Sequence, residues 1–420
     1  MNKPLLVYQA PIATRSGYGD HSRDILKSLF ELDKFDIKIV PTRWGNTPQD
    51  QLDPQNEFHQ KILQNVVTQM DKQIDVFIQV SVANEFRRVG KYNIGITAGV
   101  ETTLAPQDFI QGANQMDLII TPSEFTKEVL QKTSYTQVDK RTQQQTGIIK
   151  LEKPVEVLFE GVDEEIFNGK YDKNNDILES VETDFNYLYV GHWLQGDLGH
   201  DRKDTGMMIK TFCSVFKGLP KKQQPGLILK TSSAGFSVMD REVIKEKVDE
   251  ITKEFGDKCP PIHLVWGDLS PKDLNNLYNH PKVKAKVMFT KGEGYGRPLA
   301  EFATTGKPII VSNWSGHKDF LPESNTVYLD GELKEVHQTS QNKFLLKESK
   351  WFYVNYSSAA QKIFDVHKNY KKHLTKSNGL KSNIKKFTLE KMTDKLGKIL
   401  DTYVQIQQHV ELKLPEIKKL

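Results

Sequence analysis

Two acidic residues eight positions apart bracket the segment of this chain whose residue types are best suited to chemistry: Glu293-Gly294-Tyr295-Gly296-Arg297-Pro298-Leu299-Ala300-Glu301. The apolar run 285–289 before it reads as a buried strand, and Pro298 suits the first turn of a helix. A strand, a glycine loop and a helix start together form an anion site, because glycine lets the backbone approach a ligand and the first helical N–H groups lack partners. Glu293 then sits on the loop and Glu301 about one turn into the helix, so both carboxylates can face one pocket. A carboxylate beside a phosphate is electrostatically awkward, whereas accepting hydrogen bonds from sugar or ribose hydroxyls suits it well. The same spacing also fits a ligand-free turn in which Glu301 merely complements the helix dipole.

Short Val, Ile, Leu and Phe runs alternate with helical patterns and predict an α/β protein with parallel sheets. The first series predicts strands at 5–9, 36–40, 75–80, 94–97, 118–121 and 155–159, and a second at 187–190, 227–229, 262–266, 283–289 and 309–311. An amphipathic helix is expected over 20–31, with Ile25, Leu26, Leu29 and Phe30 at helical spacing. Two doubly wound, Rossmann-like domains facing across a cleft account for both series, and ligands of such folds sit at the carboxyl ends of the strands. We expect an N-terminal, acceptor-side domain over 1–165, a donor-side domain over 166–385 and a helical, Lys-rich segment over 386–420. Residues 139–153 read as an exposed loop, and 357–372 and 388–407 as helices.

A chain of 420 residues exceeds what one core usually organises, and 37% apolar with 27% charged residues excludes a disordered chain. The net charge of +4 does not announce a nucleic-acid binder, although residues 365–420 hold 13 Lys against 6 acidic residues, a possible docking surface or simply a solvated face. Cys213 and Cys259 are too few for a disulfide framework, which with the absence of a signal-peptide pattern or a long apolar span predicts a cytoplasmic protein without an integral membrane segment.

Glu293 and Glu301, within Glu-Gly-Tyr-Gly-x-Pro-x-x-Glu, resemble the signature of retaining nucleotide-sugar glycosyltransferases of the GT-B fold, often called group 1 or family 4. Supporting stretches are similar too: Pro154 to Asp163 with Phe167 to the interdomain joint, Tyr189-Val190-Gly191 with Arg202-Lys203 to the diphosphate segment, and Thr121-Pro122-Ser123 to the stretch before the joint. The resemblance covers roughly residues 4–330. It implies that Glu301 binds the donor ribose, that Glu293 contacts the transferred sugar, and that the backbone of Gly294, Tyr295 and Gly296 holds sugar and phosphate. Lys203 with Arg202 is then expected to neutralise the departing diphosphate, since fixed cations stabilise a leaving group that gains charge. No metal and no cofactor beyond the nucleotide-diphosphate sugar is implied.

Gly17-Tyr18-Gly19 lies between the first strand and first helix, where the family uses a glycine loop on the opposite wall, although a Gly-x-Gly is often only a tight turn. Two positions depart from the pattern: His192 stands where many members carry Arg, and Glu101 where many carry a cleft His. Glu101 follows a strand and Gly99, and either orients an acceptor hydroxyl, accepts its proton, or caps a turn. Residues 78–103 also resemble a phage-type branch, some members of which glycosylate hydroxymethylated bases, so DNA is one possible acceptor and the host cytoplasm the compartment in that case. A saccharide, lipid-linked or protein acceptor is the reading that the resemblance favours. An epimerase or a sugar-nucleotide binding protein of the same fold is the alternative from another class.

Overall fold

The computed structural model describes residues 3–405 except 140, 143, 195 and 233–237. Strand β1 (Leu5–Ala10) is an almost unbroken apolar run, buried along nearly its whole length, as a strand covered by helices on both faces must be. It lies inside a six-stranded parallel sheet with β2 (Asp36–Pro41), β3 (Val76–Val80), β4 (Tyr92–Ile96) and β5 (Leu118–Thr121). A hairpin of β6 (Ser134–Val138) and β7 (Gln145–Lys150) leads into β8 (Val155–Val157), which completes the sheet in the order β2-β1-β3-β4-β5-β8. A single parallel bridge, Ile39 to Val66, extends it beyond β2.

The second parallel sheet contains β9 (Asn186–His192), β10 (Gly226–Ser232), β11 (Ile262–Val265), β12 (Val283–Met288), β13 (Ile309–Ser312) and β14 (Val327–Leu329). Its order, β11-β10-β9-β12-β13-β14, reverses at β9, and at such a reversal the loops at the carboxyl ends splay apart and leave a crevice. Two antiparallel strands, β15 (Gly331–Glu335) and β16 (Lys350–Val354), form a separate arm. The expected α/β class with two doubly wound sheets is the observed one.

The last helix among the described residues, Leu389–Tyr403, returns to the first domain and packs on the helix Gly17–Leu32. Leu389, Met392, Leu396, Ile399 and Leu400 repeat at three- and four-residue spacing and are buried, and Thr393 Oγ1 lies 2.8 Å from Ser28 Oγ of the helix Gly17–Leu32. Lys391 and Lys398 occupy its outer, exposed face. Residues 406–420 of the Lys-rich segment, including the end of the helix expected over 388–407, lie outside the described residues.

Three local expectations are corrected. Residues 145–150 of the expected loop over 139–153 form β7; one face of the hairpin is only half-buried, at Tyr135, Gly147 and Ile149, and the other is exposed, so no clear apolar period announces it. The helix expected over 357–372 breaks at Asn369, which caps Tyr356–Lys368 and precedes a second helix, Tyr370–Ser377. Gly17 and Gly19 belong to the first turn of the helix Gly17–Leu32 and not to a loop before it, with Ser16 accepting from the N–H of Gly19 at 3.0 Å.

Candidate active site

The glycine loop leaves β12 and enters the helix Arg297–Ala303 through Gly296, whose φ of 102° is a left-handed conformation that glycine adopts without strain. Both domains clamp this loop. The N–H of Glu293 donates to Ser315 Oγ at 2.9 Å, and its carbonyl accepts from the N–H of Gly316 at 3.0 Å. From the first domain, Ser123 Oγ donates to the carbonyl of Gly294 at 2.5 Å. A Cβ added at Gly292 or Gly294 would strike the carbonyl oxygen of Glu101 or of Ala98, so the loop lies directly on the backbone that follows β4.

Arg202 and Lys203 come from the turn between β9 and the helix Thr205–Phe216, and this turn meets the glycine loop where the N–H of Lys291 donates to the carbonyl of Arg202 at 2.8 Å. Lys203 Nζ bonds Oε1 of Glu293, while Nη1 of Arg202 stands 3.6 Å from Glu293 Oε2 and 2.7 Å from Glu101 Oε1. Four residues placed by sequence reasoning are thus one connected ionic cluster spanning both domains. Burial would raise the Glu293 carboxyl, yet Lys203 and Arg202 hold it down at about 2, so it is ionised at neutral pH. The Glu101 carboxyl is raised, first by burial and also by neighbouring Glu293, against the pull of Arg202. Lys203 is lowered by burial and by Arg202, while Arg202 is raised by its two carboxylates despite its own burial.

Glu301 stands in a second cluster. Tyr278 OH donates to its Oε2 at 3.1 Å, and Arg297 Nε to its Oε1 at 3.0 Å. The other end of the guanidinium crosses to the first domain, where Nη1 lies 2.5 Å from Asp24 Oδ2 and 3.9 Å from Glu160 Oε2. One arginine thus faces three acids, and burial first, then Asp24 and the other acids, pushes Glu160 up to about 8. Lys286 is fully buried and lowered by burial to about 7, with Glu301 and Glu293 pulling the other way. Its Nζ donates to the carbonyl of Pro298 at 2.8 Å. Sequence reasoning missed Lys286, Arg297, Asp24 and Glu160; a lysine inside the apolar run of β12 was the one local signal.

Beside the first cluster a cavity of about 820 Å³ opens between the domains, bordered by Glu101 and Arg202 together with Tyr18, Trp44, Trp193 and the arm. Glu293, Glu301 and Lys203 are not among its lining residues and are each less than a tenth exposed. Tyr295 packs its ring against Phe320, 4.7 Å between centroids, so its side chain belongs to the core. Gly19 is tight against the backbone and hydroxyl of Thr14, which accounts for the glycine by packing, whereas Gly17 faces open space. His192 shares a contact of 3.2 Å between Nδ1 and Ser232 Oγ, and burial, then Lys203 and Arg202, lower it to about 4, leaving it neutral where the family pattern has a cation. Among the described residues no three His, Cys, Asp or Glu side chains are grouped to hold a metal ion, and no helix is long and apolar enough to cross a membrane.

No family profile matches the sequence, and no curated protein matches it either. Solved structures do match its fold. A glycosyltransferase from Rickettsia africae ESF-5 superposes with a TM-score of 0.63 at 13% identity, covering 97% of this chain and 100% of the other. Sucrose-phosphate synthase from Thermosynechococcus elongatus gives 0.60 at 13% identity, with 96% and 99% covered. An E. coli trehalose-6-phosphate protein bound with UDP-2-fluoro glucose gives 0.59 at 12% identity, with 96% and 100% covered. The two six-stranded parallel sheets, their facing loops and these likenesses establish the architecture: the chain has the GT-B fold.

Proposed function

We propose that this protein is a retaining glycosyltransferase that moves a sugar from a nucleotide-diphosphate donor to an acceptor hydroxyl. The observation that carries the reading is the ionic cluster of Glu101, Arg202, Lys203 and Glu293 beside an interdomain cavity. Residues 1–165 serve the acceptor side and 166–385 the donor side, followed by the Lys-rich segment 386–420, in a protein that works in the cytoplasm.

In the reaction the bond between the anomeric carbon and the diphosphate oxygen breaks, its electron pair leaving with the phosphate. The acceptor oxygen bonds to that carbon on the same face, and its proton passes to the departing phosphate oxygen. Arg202 and Lys203 stabilise the charge that grows on the diphosphate, an interaction stronger in the transition state than before it. The ionised Glu293 positions the sugar and supports the positive character at the anomeric carbon, while the backbone of Gly294 to Gly296 holds sugar and phosphate. Glu101 orients the acceptor hydroxyl. Glu301 takes the ribose hydroxyls once Arg297 yields that carboxylate, and the helix start at Gly17 and Gly19 closes the opposite wall. Incubation with a panel of nucleotide sugars and acceptors, followed by NMR of the product, tests the reading: a product with the donor's anomeric configuration supports it, and an inverted or epimerised one overturns it.

A further inference from the structure

We propose that the cavity beside Glu101 receives an uncharged saccharide ring as the acceptor, and that the β15–β16 arm is the element that selects it. This rests on the glycosyltransferase reading above. On one wall Tyr18 and Trp44 stack with centroids 4.0 Å apart and planes 23° from parallel, and the loop of the arm contributes the half-buried Phe344. The C–H faces of a pyranose ring are apolar and stack on such aromatic faces, while its hydroxyl edge needs groups that both donate and accept. The side-chain amide of Asn46 borders the cavity and can do both, and the oxygen of Gln341, whose nitrogen donates to the carbonyl of Val336, adds an acceptor.

Charge points the same way. Of the cations lining the cavity, Arg202 is bound to Glu101, and Lys247 lies 5.3 Å over the ring of Trp193. An anionic acceptor would meet Glu101 and have to compete for cations already engaged. The arm is tied to both domains. Its Lys350 exchanges two hydrogen bonds with Thr103 of the first domain, at 2.8 and 2.9 Å, and Phe344 lies 5.7 Å from Phe109. On the other side Ser340 Oγ donates to the carbonyl of His200 at 2.5 Å.

The test measures binding to the full chain by calorimetry, with saturating UDP, of methyl α-glucoside, maltose, lactose, glucose 6-phosphate and a short DNA duplex. At least one neutral saccharide is expected to bind, and glucose 6-phosphate to bind no better than the glucoside. Trp44→Ala is expected to weaken the best saccharide about tenfold and Trp44→Phe to recover most of that loss, as stacking and not hydrogen bonding requires. Preferential binding of the phosphate or the duplex, rejection of every neutral sugar, or an unaltered Trp44→Ala protein overturns the proposal. Thermal shifts with UDP-glucose, GDP-mannose and ADP-glucose separate the two claims. Absence of any donor shift sinks the glycosyltransferase reading, whereas a donor shift with rejection of neutral sugars sinks only the acceptor assignment.

Discussion

Arg202 and Glu101 join the two walls of the cleft: a guanidinium nitrogen of the second domain lies 2.7 Å from a carboxylate oxygen of the first. The pair couples the group that would stabilise the leaving diphosphate to the group that would hold the acceptor. Glu101→Gln keeps the size and removes the charge, and acceptor-dependent turnover is expected to fall by roughly 10²-fold or more. Initial rates with and without acceptor check this; an unchanged acceptor-dependent rate removes Glu101 from the mechanism.

Glu293 and Lys203 are expected to act as one unit. Lys203→Met and Glu293→Gln should each lower kcat by about 10²-fold, in the range seen when one preorganised electrostatic contact is lost. The double variant should lose much less than the product of the two, because removing either partner already disables the pair. Additive losses, read from nucleoside diphosphate release, would mean that the two residues work independently.

Arg297 is expected to matter more for stability than its place on a helix surface suggests. Arg297→Met leaves Glu301, Asp24 and Glu160 buried beside one another, and breaking such a network by removing one partner costs about 3–5 kcal/mol. Asp24→Asn keeps the guanidinium bonded to Glu301 and should cost clearly less. Denaturant unfolding of the two variants compares them, and equal losses would argue against the bridge.

Glu160 predicts a pH dependence with a definite sign. Its folded pKa of about 8 lies above the model-compound value of 4.5, so between those limits the folded state holds a proton that the unfolded state has released. Stability from this group is complete below about pH 4.5 and declines as pH rises toward 8. Glu160→Gln, which cannot titrate, should show a flatter melting profile from pH 5 to 8 than the wild type; superimposable profiles would rule this out.

Much of the scaffold is legible in the sequence because parallel strands buried on both faces must be apolar throughout. The runs at 5–9, 118–121 and 283–289 therefore read directly as β1, β5 and β12. The residues of the first ionic cluster were legible as well: Glu293 and Glu101 stand in the loops just past β12 and β4, where a doubly wound sheet gathers its ligand-binding groups, while Arg202 and Lys203, at the far end of the loop after β9, were legible only through the family resemblance. The second cluster was not. Asp24, Glu160 and Arg297 lie far apart in the chain, and nothing local to any of them shows that the fold brings them together. The arm escaped notice for a different reason: β15 is exposed at every position, so it carries no apolar period, and it is the tertiary contacts of Lys350 with Thr103 and of Phe344 with Phe109 that bring the arm to the cleft.

The most direct test of the central claim is a crystal structure of the protein with UDP-2-fluoroglucose or the best-binding analogue of its donor. The account predicts the diphosphate against Arg202 and Lys203, the sugar within hydrogen-bond reach of Glu293, and the ribose at Glu301 with Arg297 displaced from that carboxylate. A donor bound elsewhere, with the Lys203–Glu293 pair and the glycine loop untouched, would contradict it.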